Sequence, residues 1–218
     1  MTQPSTARLP GRTALPGRRA QAARNDEVIL QAAREVFVAD PDAPVAAVAQ
    51  RAGVGISALY RRYQGKEDLL RQLCHDGLRQ FIEIAEQAAA EPDGWEAFAK
   101  FLAGVVDADV HSLTVHLAGT FTPTQQMDAD ARTAVALADA LLARAAGSGR
   151  LRPGVVSGDV TLILEGCAAI RIPDHPDRSR QLRTRYLAVL LDGLQGSGSG
   201  ELPGPPPSGE ELNWRWSR

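Results

Sequence analysis

Residues 48–70, VAQRAGVGISALYRRYQGKEDLL, constrain this chain more than any other stretch. Two short helical patterns flank one tight break. Val48 and Ala49 belong to the first, Gly53 stops it, and the second runs from about Gly55 to Tyr63. Glycine enters the left-handed backbone region at no steric cost, which is how many helices end. Val54 is placed to plug the angle between the two segments. QGKEDLL then opens a longer helix, with Glu67 and Asp68 at the positive end of its dipole. Two helices joined through such a turn make a helix-turn-helix. The second carries more hydroxyl, aromatic and cationic side chains than packing requires. Ser57, Tyr60, Arg61 and Arg62 offer donors to phosphates and base edges, and Lys66 is placed to grip a phosphate. The plainer reading is a helical hairpin whose tyrosine and arginines only cover its surface.

The preceding residues complete a unit. In NDEVILQAAREVFVAD, Asn25 suits an N-cap, Asp26 and Glu27 suit the first turn, and Val28, Ile29, Ala32, Ala33, Val36 and Phe37 fall on one stripe. ADPDAP breaks that helix, and Pro44 suits the first turn of the next. Residues 25–70 therefore read as a three-helix DNA-binding unit. Residues 1–24, rich in Pro, Gly, Ser and Arg, read as a disordered basic arm holding Arg8, Arg12, Arg18, Arg19 and Arg24 without an acid. The net charge of −2 hides an asymmetry: residues 1–70 carry ten Lys/Arg against seven Asp/Glu, and residues 71–218 carry fourteen against nineteen. A basic front on an acidic body suits a polyanion, because Lys and Arg displace the counterions condensed on phosphate.

The rest is helical in pattern and shows no sustained strand alternation, so the fold class is all-α. A long fourth helix runs to about Ala90, another spans about Trp95 to Ala118, and a third about Met127 to Ala146. DVTLILEGCAAIR and RSRQLRTRYLAVLLDGLQ are the last two. Residues 71–195 thus form a larger helical domain, and residues 196–218 a Gly/Pro/Ser-rich tail expected to be disordered, with Trp214 and Trp216 as candidate docking groups. No apolar run is long enough for a membrane span, and the first residues lack the apolar core of a secretory signal, which points to the cytoplasm. Cys74 and Cys167 lie far apart without metal-ligand spacing; buried thiols are the expectation, and no metal or cofactor is called for.

Three features of the body bear on function. On a continuous helix from Trp95, positions 95, 98, 102, 105, 109 and 116 share one stripe, so Asp109 and His116 would extend an apolar surface and could orient a bound small molecule; otherwise the stripe meets solvent there. Gly77, inside the fourth helix, marks a close approach, a cavity wall or tolerated drift. The final helix has Leu182, Tyr186, Val189, Leu190, Gly193 and Leu194 at heptad-like spacing with Leu187 and Leu191 alongside, too broad for one packing surface. Glu165 could pair with Arg183 or Arg185 across an interface.

The stretches VILQAAREVF at 28–37 and VAQRAGVGISALYRRYQGKEDLL at 48–70 resemble the TetR family of transcriptional regulators. The resemblance covers about 45 residues and rests on turn, aromatic and lysine recurring at the family's spacing. It implies that Tyr60 and Lys66 contact phosphate, and that Gly55, Ile56, Ser57 and Arg62 contact bases or the nearby backbone, with two departures from the family pattern leaving affinity to lean more on Arg61, Arg62 and the basic arm. The chain departs from the family pattern in having Gly55 where a serine is frequent, and in PVAAV, which lacks the usual Ser/Thr. The resemblance further implies a homodimer paired through the last two helices, a near-palindromic double-stranded operator, and a small-molecule effector held within residues 71–171 that releases a repressor from DNA. Two rivals stand beside this reading. One is a helical adaptor that binds protein and has lost DNA affinity. The other is an all-α enzyme using Asp109 and His116, for which the sequence offers no third catalytic partner.

Overall fold

The computed structural model describes residues 16–196 and 202–213. Ten helices follow one another among them: α1 Pro16–Ala39, α2 Val45–Ala52, α3 Ile56–Tyr60, α4 Lys66–Ala89, α5 Gly94–Ala108, α6 Val110–Leu117, α7 Gln125–Gly147, α8 Ser157–Ala168, α9 Pro176–Leu194 and α10 Gly209–Asn213. Among the described residues no strand forms; the one bridge pairs Leu151 with Gln195 in antiparallel sense. The all-α expectation holds.

Local chemistry sets the boundaries. Gly53 closes α2 at φ 66° and ψ 27°, and its N–H donates back to the carbonyls of Ala49 and Gln50. The Asp93 carboxylate accepts from Glu96 N–H at the start of α5, and the Thr124 hydroxyl accepts from Met127 N–H at the start of α7.

Three expectations need correction. α1 begins at Pro16, not at Asn25, so residues 16–24 extend the helix instead of belonging to a disordered arm. Proline suits a first helical turn, and RRAQAAR consists of strong helix formers. Residues 1–15 lie outside the described residues. The helix expected over 95–118 is two helices: Asp109 takes φ 55° and ψ 25°, ending α5 and starting α6. The tail is also ordered in part. Residues 202–212 run against α8 and end in α10, while 197–201 and 214–218, with Trp214 and Trp216, lie outside the described residues.

Two apolar cores meet along α4. The first joins Phe37 of α1, Val48 of α2, Leu59 of α3 and Leu69, Leu70 and Leu73 of α4 with Leu113 and Leu117 of α6 and Met127 of α7. The second gathers Phe98, Phe101 and Leu102 of α5, Leu141 of α7, Leu164 of α8 and Leu187 of α9 around the far end of α4. The helix-turn-helix unit therefore shares its core with α6. Gly77, buried on α4, is where the two approach: a Cβ there would lie 2.5 Å from Leu113 Cδ1.

Candidate nucleic-acid interface and cavity

α3 has five residues and buries one large side chain, Leu59. Ala58 is partly covered, and the other positions face outward. Gly55, Ser57 and Arg61 are exposed, and Ile56 and Tyr60 remain 43% and 52% exposed. An isoleucine and a tyrosine left in solvent on so short a helix contribute little to the fold and suit a surface built for contact. Gly55 is the N-cap at φ −66°, with open space where a Cβ would stand, so the missing serine hydroxyl is not excluded sterically. Tyr63, three residues past Tyr60, is buried, and that burial raises its phenol above the ordinary value against the opposing charge of Arg62.

The two remaining cations are held by α1. Arg62 pairs with Asp26. The ammonium of Lys66, the first residue of α4, sits 5.4 Å from the centroid of the Phe37 ring, so its stem packs on an aromatic face while its head stays near the surface. The expected contact residues Gly55, Ile56, Ser57, Tyr60, Arg61, Arg62 and Lys66 thus lie within one stretch from the α3 N-cap to the first turn of α4.

Behind this surface the body holds a half-open cavity of about 930 Å³. Cys74, Gly77, Leu78 and Phe81 of α4 form one wall, and Phe101 of α5 continues it, its ring edge-on to Phe81 at 5.2 Å. α6, α7, α8 and residues 119–123 supply the others, including His111, Phe121 and Met127. The ionisable lining residues are Glu67, Cys74, His111, Asp128 and Asp139; no lysine or arginine lines it among the described residues. Burial pushes the Cys74 thiol up to about 12 and the Cys167 thiol up to about 11, as inert thiols require.

The cavity wall is tied to the first turn of α4. The Glu67 carboxylate accepts from Thr122 N–H at 3.1 Å, and Arg71 bridges Glu67 and the Thr122 carbonyl at 2.9 and 3.1 Å. The Thr122 backbone bond is the main reason the Glu67 carboxyl lies below its usual range. Lys66 is its chain neighbour.

Asp109 and His116 are not among the lining residues. Once α5 ends at Asp109, α6 starts on a new axis and the stripe is interrupted. The Asp109 carboxylate instead faces Arg183 of α9 at 3.3 Å and Arg34 of α1 at 3.9 Å, and Arg34 donates to the carbonyls of Ala108 and Asp109. Burial lowers the Arg34 pKa, with Asp109 acting against it. Arg183, 8% exposed, is therefore engaged within the chain. The imidazole at the cavity is His111, early in α6, a position that a continuous helix from Trp95 does not single out.

Residues 29–73 match the family described as bacterial regulatory proteins, tetR family, and residues 93–196 match the transcriptional regulator SbtR-like C-terminal domain. No curated protein gave a sequence match. Among solved structures, the TetR transcriptional regulator SCO0520 from Streptomyces coelicolor is 25% identical over 79% of this chain and 99% of its own, with a TM-score of 0.54. A TetR transcription regulatory protein from Mycobacterium vanbaalenii is 26% identical over 82% and 99%, with a TM-score of 0.52. The TetR-like regulator LfrR from Mycobacterium smegmatis, solved in complex with proflavine, shares the fold at 20% identity over 84% and 99%, with a TM-score of 0.56.

Proposed function

The chain belongs to the tetR family of bacterial regulatory proteins, and from that premise we propose that it is a homodimeric repressor released from its operator by a small molecule. The observation that carries this reading is the joint use of α4: its first residue, Lys66, borders the α3 surface, and five residues further along it, from Glu67 to Phe81, line the 930 Å³ cavity. Whatever fills the cavity presses on the helix that positions the DNA contacts.

Two copies pair in this reading through the outer faces of α8 and α9. Leu187 and Leu191 of α9 pack inward, while Tyr186 and Val189 remain 41% and 62% exposed and Leu162 of α8 47% exposed. A twofold dimer reads a near-palindrome with half-sites about 34–36 Å apart.

The lining also selects the effector's class. Three phenylalanines favour an apolar, ring-bearing molecule, and carboxylates without cations favour a neutral or positive one. Tetraphenylphosphonium and tetraphenylborate have the same shape and opposite charge. The phosphonium is expected to raise the melting temperature and release DNA taken from the gene's own upstream region; the borate is not. Equal action by both ions would refute the charge selection, and failure to bind that DNA would favour the adaptor. The enzyme alternative needed Asp109 and His116 in one site, and Asp109 is occupied by two arginines.

A further inference from the structure

A second space of about 520 Å³ adjoins the cavity on the side of α6 and α8. His111, Thr114, Val135, Ser157 and Thr161 belong to both walls, so the two spaces meet at these side chains. The opposite wall of the second space is the C-terminal segment, through Pro206, Pro207, Gly209 and Leu212.

Specific contacts hold the segment there. After α9 the chain turns back along residues 150–152: Arg152 N–H donates to Leu194 O at 2.8 Å and Gly196 N–H to Arg150 O at 3.0 Å. Pro207 then lies on Gly158, in the first turn of α8, where a Cβ would stand 3.0 Å from both Cβ and O of Pro207. Gly158 is buried, and any larger side chain there meets the segment. Ser208 and Glu211 cap α10 reciprocally, Glu211 N–H donating to the hydroxyl at 3.3 Å and Ser208 N–H to the carboxylate at 2.8 Å. Prolines lower the entropy lost when such a segment orders. Yet only Leu202, Pro207 and Leu212 of residues 202–212 are even half-buried. So few contacts release a segment at low free energy. The family match ends at residue 196, so this strap lies beyond the residues matched.

We propose that residues 202–212 are a gate on the effector site, closing the α6–α8 side of the cavity and setting how fast ligands enter and leave. The gate rests on the cavity being the effector site proposed above. It is tested without DNA, by stopped-flow binding of the neutral fluorescent dye Nile red to the full chain. Gly158→Val displaces Pro207 and is expected to speed dye entry and exit together by about tenfold. The reverse state comes from a Gly158→Cys, Pro207→Cys pair, whose Cβ separation needs only a small shift to meet disulfide geometry. Diamide takes two electrons and two protons from the pair, and dithiothreitol returns them; wild-type chain given the same treatment controls for Cys74 and Cys167. The oxidised tether should slow entry and exit, and reduction should restore them. Should Gly158→Val lose its helical circular dichroism, the tether decides alone. Dye that enters the oxidised, reduced and wild-type forms at one rate leaves the effector site standing and removes the gate. Dye that binds no form overturns the effector site, and the gate with it.

Discussion

Arg62 is engaged by Asp26 before any DNA arrives, whereas Tyr60 and Arg61 stand free of the core at the same surface. An arginine prepositioned by a carboxylate has less rotamer freedom to lose on docking, which suits a base contact. Lys66, lying along Phe37, suits a phosphate, for which charge matters more than angle. The substitutions should separate accordingly. Tyr60→Ala and Lys66→Ala are expected to weaken binding to all sequences alike, and Lys66→Ala to lower the salt slope by about one per half-site. Arg62→Ala should instead flatten discrimination at one base pair by about 1–3 kcal/mol. Fluorescence anisotropy against operator and scrambled DNA, at several salt concentrations, distinguishes the patterns. Uniform weakening by Arg62→Ala would make it a phosphate contact, and three variants of wild-type affinity would remove α3 from the interface.

At the scale of the elements, α1, the α5–α6 break and α9 are joined by one carboxylate. Asp109 tolerates φ 55° as an aspartate can, and its charge lies between Arg34 and Arg183. An asparagine in its place would keep the backbone and remove the charge, leaving two guanidiniums facing each other with one nearly buried. Because Asp109 and Arg34 are partly solvated, Asp109→Asn is expected to cost about 1–2 kcal/mol, below the figure for a fully buried pair. Asp109→Ala should cost about 1 kcal/mol more, since alanine enters the left-handed region unwillingly. Urea denaturation measures both, and an Asp109→Asn variant as stable as wild type would show that the cluster contributes nothing. This junction also marks where the sequence is opaque. The turn at Gly53, the stripe of α1 and the acidic start of α4 are local signals, and they are legible. A one-residue break at Asp109 barely disturbs an apolar periodicity, and its partners lie 75 residues before and 74 after it in the chain. Residues 16–24 mislead because their arginines read as a tail although Ala, Gln and Arg also favour helix. The strap at 202–212 has the composition of a disordered tail; what orders it is contact made in the folded chain, such as the fit of Pro207 to Gly158.

For the whole molecule, two readers must be held at a fixed separation by the dimer and moved by the cavity, and each half can be perturbed separately. Val189→Asp places a carboxylate at the centre of the proposed pairing face, where burial without a partner is costly. It should give a folded monomer by light scattering that no longer binds the full operator; an intact dimer would move the interface elsewhere. The cavity half is tested by a side chain standing in for the effector. At Gly77 a Cβ already reaches within 2.5 Å of Leu113, and Leu113 belongs to the core shared by α1, α2 and α4. Gly77→Leu would therefore push α6 away from α4 at the cavity wall, where Leu113 also belongs to the core of the helix-turn-helix unit, as a bound molecule would. Operator affinity should fall by about 5–150-fold, the usual range for coupling between two sites, while α3 is untouched. Linkage adds a second requirement: in wild type, operator DNA must weaken tetraphenylphosphonium binding by the factor with which the ion weakens operator binding. Calorimetry with and without DNA gives one factor and anisotropy with and without the ion gives the other. Unequal factors would place the ion outside this two-state scheme. A Gly77→Leu dimer of wild-type stability and wild-type operator affinity would show that filling the cavity beside α4 does not move the readers.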